Sequence, residues 1–246
     1  VTLTVGWLAV FVIVPNLLTL ATGFLTRGEP EFDLPVLTFD NYARLFDPAF
    51  FDIFLDSVWL AFCTTVLCLL VGYPFAYILA RLTPARRRLG LLFVIIPFWT
   101  NSLIRTYALI AILNVNGLFN AALLWLGIVS EPVELLYTNT AVFICFTYTL
   151  LPFMILPLYA SIEKLDHRLI EAARDLGAGS FQTFFRVGLP LTLPGIIAGS
   201  MLVFLPALSM FYVPDILGGA KSLLVGNFIR NQFLVARDWP FGAAAS

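Results

Sequence analysis

The segment EAARDLGAGSFQTFFRVGLPLTLPG, Glu171–Gly195, mixes charge, small residues and glycine between two apolar runs, Thr140–Tyr159 and Leu189–Tyr212. Each run is long enough to cross the hydrocarbon core as a helix, which takes about 20 residues. Three more runs qualify: Leu3–Leu25, Phe54–Leu79 and Leu89–Leu113. Gly117–Ile128 is apolar but too short, and reads as an interfacial or re-entrant helix. Of the 246 residues, 60% are hydrophobic and 12% charged, against about 25% charged in a soluble domain. A soluble fold of this length could not hide so much apolar surface. The expected class is all-α: a polytopic membrane protein, read as a single domain over residues 1–246. The chain starts at Val1, and Trp239–Ser246 reads as the opening of a sixth span, so we expect both ends of a longer chain to lie beyond this sequence.

Charge then orients the spans. Arg81, Arg86, Arg87 and Arg88 crowd the connection between spans two and three, and Lys164, Arg168, Arg174 and Arg186 that between spans four and five. The other connections are acid-rich, with Glu29, Glu31, Asp33, Asp40, Asp47, Asp52, Glu131, Glu134, Asp215 and Asp238. Basic loops stay in the cytoplasm, which puts the amino end and the Glu171 segment inside. The net charge of −1 says nothing about partners. Cys63, Cys68 and Cys145 fall in apolar runs at spacings that suit neither zinc nor a disulfide scaffold. His167, the only histidine, cannot build a metal cluster alone.

Asp166 is an N-cap candidate, and Leu169, Ile170, Ala173 and Leu176 make one apolar helical face. Gly177 sits where a glycine ends a helix. Ser180 is read as the cap of a second short helix with Phe181, Phe184 and Phe185 on its apolar side, stopped by Gly188 and Pro190. Glu171 and Arg174 are spaced to pair. From these residues alone, the segment 160–188 reads equally as an amphipathic linker or as a docking surface.

The spacing Glu171-Ala172-Ala173, three residues, Gly177, nine residues, Val187, one residue, Leu189-Pro190 resembles the EAA loop of ABC importer permeases. PFWTNSLIRTY (97–107), LLPFMILPLYASIEKLD (150–166), FYVPDILGGAK (211–221) and RDWPFGAA (237–244) are similar to the permease subunits of bacterial spermidine/putrescine importers. The resemblance implies a type I permease fold of six spans in the bacterial inner membrane. It also implies a second, homologous permease subunit, two ATPase subunits docked on the EAA loops, and a periplasmic polyamine-binding protein. ATP and Mg would sit on the ATPase partners. The chain has no G-x-x-x-x-G-K-[ST] phosphate loop of its own. No cofactor, metal or nucleic acid is expected on this chain, and no catalytic constellation is visible.

A polyamine path needs carboxylates, aromatic faces and apolar wall. Trp99, Thr100, Asn101, Ser102 and Tyr107 form a polar and aromatic patch in span three, where Pro97 is positioned to kink the helix and free a carbonyl. Counted from Leu89 at about 1.5 Å per residue, Asn101 would lie ~18 Å and Arg105 ~24 Å into the core. Interhelical hydrogen bonding is the competing role for the patch. Arg105 is expected to pair with an acid. Phe211, Tyr212 and Asp215, at the outer end of span five, read either as an ammonium clamp or as a plain turn. Leu223, Leu224, Phe228, Ile229 and Phe233 suggest an outer surface helix that meets the binding protein or packs on its own chain. The alternatives to a polyamine permease are an ABC permease for another small solute and a secondary transporter. The latter would leave the spaced loop without a role.

Overall fold

The computed structural model describes residues 2–28, 34–219 and 223–246. Of the charges read above, Glu29, Glu31 and Asp33 lie outside the described residues, as do residues 220 and 221 of the FYVPDILGGAK stretch and the side chain of His167. In chain order the elements begin with α1 (Thr2–Leu8), a π-helical stretch Ala9–Ile13 and α2 (Val14–Gly23). The strands β1 (Leu25–Thr26) and β2 (Leu34–Leu37) follow, then α3 (Asp40–Arg44), α4 (Pro48–Arg81), α5 (Pro84–Trp99), α6 (Ser102–Leu113) and α7 (Leu118–Trp125). Next come α8 (Asn139–Glu163), α9 (His167–Asp175), α10 (Ser180–Thr183), a π stretch Phe184–Gly188 and α11 (Leu189–Ser209). The chain closes with a π stretch Pro214–Gly218, α12 (Val225–Asn231), a π stretch Gln232–Ala236 and α13 (Trp239–Ala245). Among the described residues, five helical stretches are long and apolar enough to cross a membrane: Thr4–Gly23, Pro48–Arg81, Ser102–Trp125, Asn139–Glu163 and Ser180–Ser209.

The third span departs from the single helix expected over Leu89–Leu113. Helix α5 ends at Trp99, Thr100 is extended (φ −92°, ψ 142°), and α6 starts afresh. Pro97 cannot donate to the helix ladder, and the Thr100 N–H and Oγ1 both turn back onto the Pro97 carbonyl. The apolar stretch counted from Ser102 then runs past the short link 114–117 into α7. Depth counted along one regular helix therefore stops being valid at Thr100.

Two compact units form, Val1–Val58 with Leu223–Ser246, and Trp59–Ser222. In the first, the helix from α1 through α2 exposes its apolar side chains from Val5 to Leu20 all round, and Gly23 is buried at its end. β1 and β2 pair antiparallel, a small ribbon that helical periodicity could not reveal. Asn41 Nδ2 donates to the carbonyls of Gly23 (3.0 Å) and Leu25 (2.8 Å), fixing the chain where α2 gives way to the ribbon. Gly23 backs onto the Ala244 backbone of α13: a Cβ there would meet its N at 3.2 Å. Helix α12 packs on its own unit, with Phe228 in an edge-on cluster with Phe50 and Phe241 and the Val225 N–H donating to Ser57 Oγ.

In the second unit the core is the α8–α11 pair. Phe146, Leu150, Met154 and Leu158 of α8 are fully buried. Helix α11 lays Gly195 and Gly199 against them: a Cβ at Gly195 would sit 2.5 Å from Ser161 Cβ and 2.8 Å from the Pro157 carbonyl. Small residues at such seams let membrane helices approach closely. Cys68 and Cys145 are buried and Cys63 half-buried, all as free thiols.

Candidate functional site: the Glu171 loop

Asp166 caps α9 as its side chain predicts, Oδ1 accepting from the Arg168 N–H at 3.0 Å. Only part of the expected apolar face turns inward: Ile170 is buried and Ala173 half-buried, while Leu169 is half-exposed and Leu176 is 89% exposed. Leu176 occupies the C-cap, where the chain has already left the helical path. Gly177 ends α9 in the left-handed region (φ +86°), its N–H donating to the Arg174 carbonyl and the Ala178 N–H to that of Ala173. These bonds satisfy carbonyls that a helix end otherwise strands.

The second half of the loop differs from its sequence reading. The N-cap of α10 is Gly179, and Ser180 is the first helical residue. Gly188 and Pro190 do not stop the helix. It runs unbroken from Ser180 to Ser209, so the Leu189-Pro190 pair lies inside a span. Pro190 has no N–H and its ring presses on the carbonyl one turn back. The π stretch just ahead resolves this: the Leu189 N–H reaches five residues back to the Phe184 carbonyl, changing the register before the proline arrives. The same device stands at Ala9–Ile13, two residues before Pro15.

Glu171 and Ala172 are exposed, as are Phe181 (77%), Phe185 and Pro190, and Leu189 is half-buried. No ion pair joins Glu171 to Arg174 among the described residues. Arg87 instead pairs with Glu163 at 2.9 Å, so the two basic loops meet at one end of this unit. A cleft of about 660 Å³ opens between the end of α8, α9 and the start of α11, with Lys164, Asp166, Leu169 and Pro194 on its walls.

The structure places the cargo-path candidates as follows. Trp99 (78% exposed) is the last residue of α5, and Asn101 caps α6, its Oδ1 accepting from the Leu103 N–H at 2.9 Å. Tyr107 is exposed on α6. Phe211 and Tyr212 form a T-shaped pair at 6.2 Å between α11 and the π stretch that carries exposed Asp215. Helix α6 touches that π stretch and both touch α8, so the two candidate groups stand on neighbouring elements. Arg105 corrects its expectation: no acid pairs with it among the described residues, and its Nε and Nη1 are buried without a hydrogen-bond partner.

Two arrangements escaped the sequence reading. Tyr73 Oη and Thr192 Oγ1 are 3.0 Å apart, both residues buried, at the foot of the loop. Asp238 is buried in the other unit, where it caps α13 and binds Arg44. An Asp just before Trp-Pro is a legible helix start, and that signal could have found it.

Comparison with known proteins bears on this arrangement. The chain is 55% identical over 242 residues to the spermidine/putrescine transport system permease protein PotB of Escherichia coli K12, covering 98% of this chain and 88% of that protein. It is 55% identical to the Haemophilus influenzae protein of the same name, at 98% and 84% coverage. It is 34% identical to the inner membrane ABC transporter permease protein YdcU of Escherichia coli K12, at 93% and 77%. Among solved structures, a bacterial ABC transporter involved in import of the polysaccharide alginate superposes with a TM-score of 0.70 at 20% identity, covering 98% of this chain and 85% of that one. A bacterial alginate ABC transporter in complex with an alginate pentasaccharide-bound periplasmic protein gives 0.76 at 17% identity, at 98% and 84%. The fold is that of type I ABC importer permeases. Residues 72–241, which hold the whole Glu171 loop and both groups of cargo-path candidates, match the family described as "Binding-protein-dependent transport system inner membrane component", and the chain belongs to that family.

Proposed function

We propose that this chain is a membrane permease subunit of an ATP-driven importer of polyamines, and that its Glu171 loop is the surface on which an ATPase subunit docks. The observation that carries the docking role is exposure. Leu176 stands 89% exposed at the elbow that follows Glu171 and Ala172, and Phe181 stands 77% exposed in the first turn of the span-length helix Ser180–Ser209. Apolar side chains held out in this way mark an interaction surface. The coupling residues are Glu171, Ala172, Ala173, Gly177, Leu189 and Pro190. ATP and Mg belong to the ATPase partner, and this chain hydrolyses nothing itself. A homologous second permease subunit completes the pathway, and a periplasmic binding protein delivers the cargo. The basic loops and the amino terminus face the cytoplasm by the distribution of Arg and Lys.

The polyamine reading draws support from the 55%-identical relatives and from the chemistry of Trp99, Asn101, Tyr107, Phe211, Tyr212 and Asp215: aromatic faces and a carboxylate for ammonium groups. Arg105, whose Nε and Nη1 are buried without an acceptor among the described residues, favours an anionic or neutral solute as the second reading. Uptake of radiolabelled spermidine and putrescine into vesicles carrying the purified complex, with and without ATP, separates the readings. ATP-dependent polyamine uptake, lowered in an Asp215→Asn complex that assembles normally, is the expected result. Uptake driven by an ion gradient without any ATPase would overturn it.

A further inference from the structure

We infer that Tyr73 and Thr192 are positioning residues that carry movement of the Glu171 loop into spans α4 and α11. The inference rests on the docking role proposed above and says where the motion enters the membrane part. The two hydroxyls are 3.0 Å apart across 119 residues of sequence. Thr192 Oγ1 also lies 3.0 Å from the Gly188 carbonyl and 3.1 Å from that of Leu189. Thr192 has a single hydroxyl hydrogen. It goes to these carbonyls, so Tyr73 is the donor between the two side chains. The Tyr73 ring stands edge-on to Phe184, 5.5 Å between centroids and 89° between planes. Phe184 opens the π stretch that joins the loop to α11.

Beneath the loop is a cavity of about 90 Å³, lined by Tyr73, Ile170, Thr183, Phe184, Arg174 and Thr192. Ile170 is the buried residue of α9, next in sequence to Glu171. Protein interiors hold few voids larger than a water molecule, so this one gives Ile170 room to move before anything else must. A push on α9 closes the cavity, presses Phe184 on the Tyr73 ring and loads the Tyr73–Thr192 bond. A π turn adjoining the joint fits this role, because π segments are easily re-registered and concentrate at functional sites. A buried hydrogen bond is either made or costly to leave unmade, which gives the joint two states.

The test uses the complete transporter, with its ATPase subunits and binding protein, in liposomes, measuring uptake and ATP hydrolysis together. Tyr73→Phe should leave ATPase copurification and unstimulated hydrolysis intact and lower uptake per ATP about fivefold, the scale of one buried hydrogen bond. Thr192→Val should do the same, Thr192→Ser should restore coupling, and the double variant should be no worse than either single one, as for a pair acting as a unit. A Tyr73→Phe complex with normal uptake per ATP overturns the joint, even if its melting temperature falls. So does a double variant whose loss is the product of the two. If no ATPase subunit copurifies with the unmodified chain, the docking reading falls and the joint with it. A fully coupled Tyr73→Phe complex sinks the joint alone.

Discussion

Arg44 donates from Nη1 to Asp238 Oδ2 at 2.9 Å while its guanidinium lies 3.8 Å from the centre of the Phe241 ring. One carboxylate thus does three jobs in the smaller unit. Asp238 Oδ1 accepts from the Phe241 N–H to cap α13, Oδ2 takes Arg44, and Arg27 Nη1 approaches it to 4.0 Å.

The cap should matter more than the charges. Asp238 is buried, but Arg27 and Arg44 are about half exposed, so both stay hydrated if the carboxylate loses its charge and solvent screens what the pairs contribute. Losing an Asp cap costs about 1 kcal/mol. Asp238→Asn, which keeps an accepting oxygen, should lower the melting temperature of the detergent-purified protein only slightly, and Asp238→Ala clearly more. Equal losses would mean that the charge, not the cap, holds α13.

Gly177 is constrained by its backbone and not by its surroundings. Its φ is +86°, yet a Cβ there would meet nothing within 4 Å. Left-handed backbone costs a residue with a Cβ roughly 1–2 kcal/mol, and Asn tolerates it best. Copurification of an ATPase subunit should therefore fall already for Gly177→Ala and at least as much for Gly177→Val, whose branched Cβ adds strain at positive φ, with Gly177→Asn nearest to normal. Indifference to alanine would show that the elbow needs no such turn.

At Gly195 the constraint is the opposite one. An added methyl would meet Ser161 Cβ at 2.5 Å and a backbone carbonyl at 2.8 Å, neither of which can swing away. Overpacking of this sort costs about 1–3 kcal/mol. At Gly199 the nearest atom is Met154 Sδ at 2.8 Å, the movable end of a flexible side chain. Gly195→Ala should lower the melting temperature more than Gly199→Ala, and the reverse order would deny the seam its place in holding α8 to α11.

Spans were legible because a run of about 20 apolar residues suits a bilayer core and little else. The Asp166 cap and the Gly177 turn were legible because their chemistry is local. Pro97 and Asn101 were both noticed, yet a kink and a full break share the same signals until the Thr100 backbone is seen. The π stretches could not be read: over five residues their period is indistinguishable from that of an α-helix, and Pro190 then looked like a terminator. Leu176 looked like core because periodicity does not say where a helix stops. Tyr73 and Thr192 belong to no local pattern at all; only the approach of α4 to α11 makes them neighbours.

The interruption at Thr100 has a consequence for the lipid around it. Helix α5 is continuous from Pro84 to Trp99 and the stretch long enough to span on its own begins only at Ser102, so the break lies between the edge of the hydrocarbon layer and, if that layer begins at Leu89, ~17 Å into its thickness of about 30 Å. Peptide groups with no helical partner do not survive against acyl chains. They occur at that depth only when covered by protein or bathed by solvent. The neighbouring Trp99 and Asn101 are exposed on this chain, so wherever the break falls inside the hydrocarbon layer the bilayer cannot simply close over it: either another polypeptide seals it or a hydrated passage begins there.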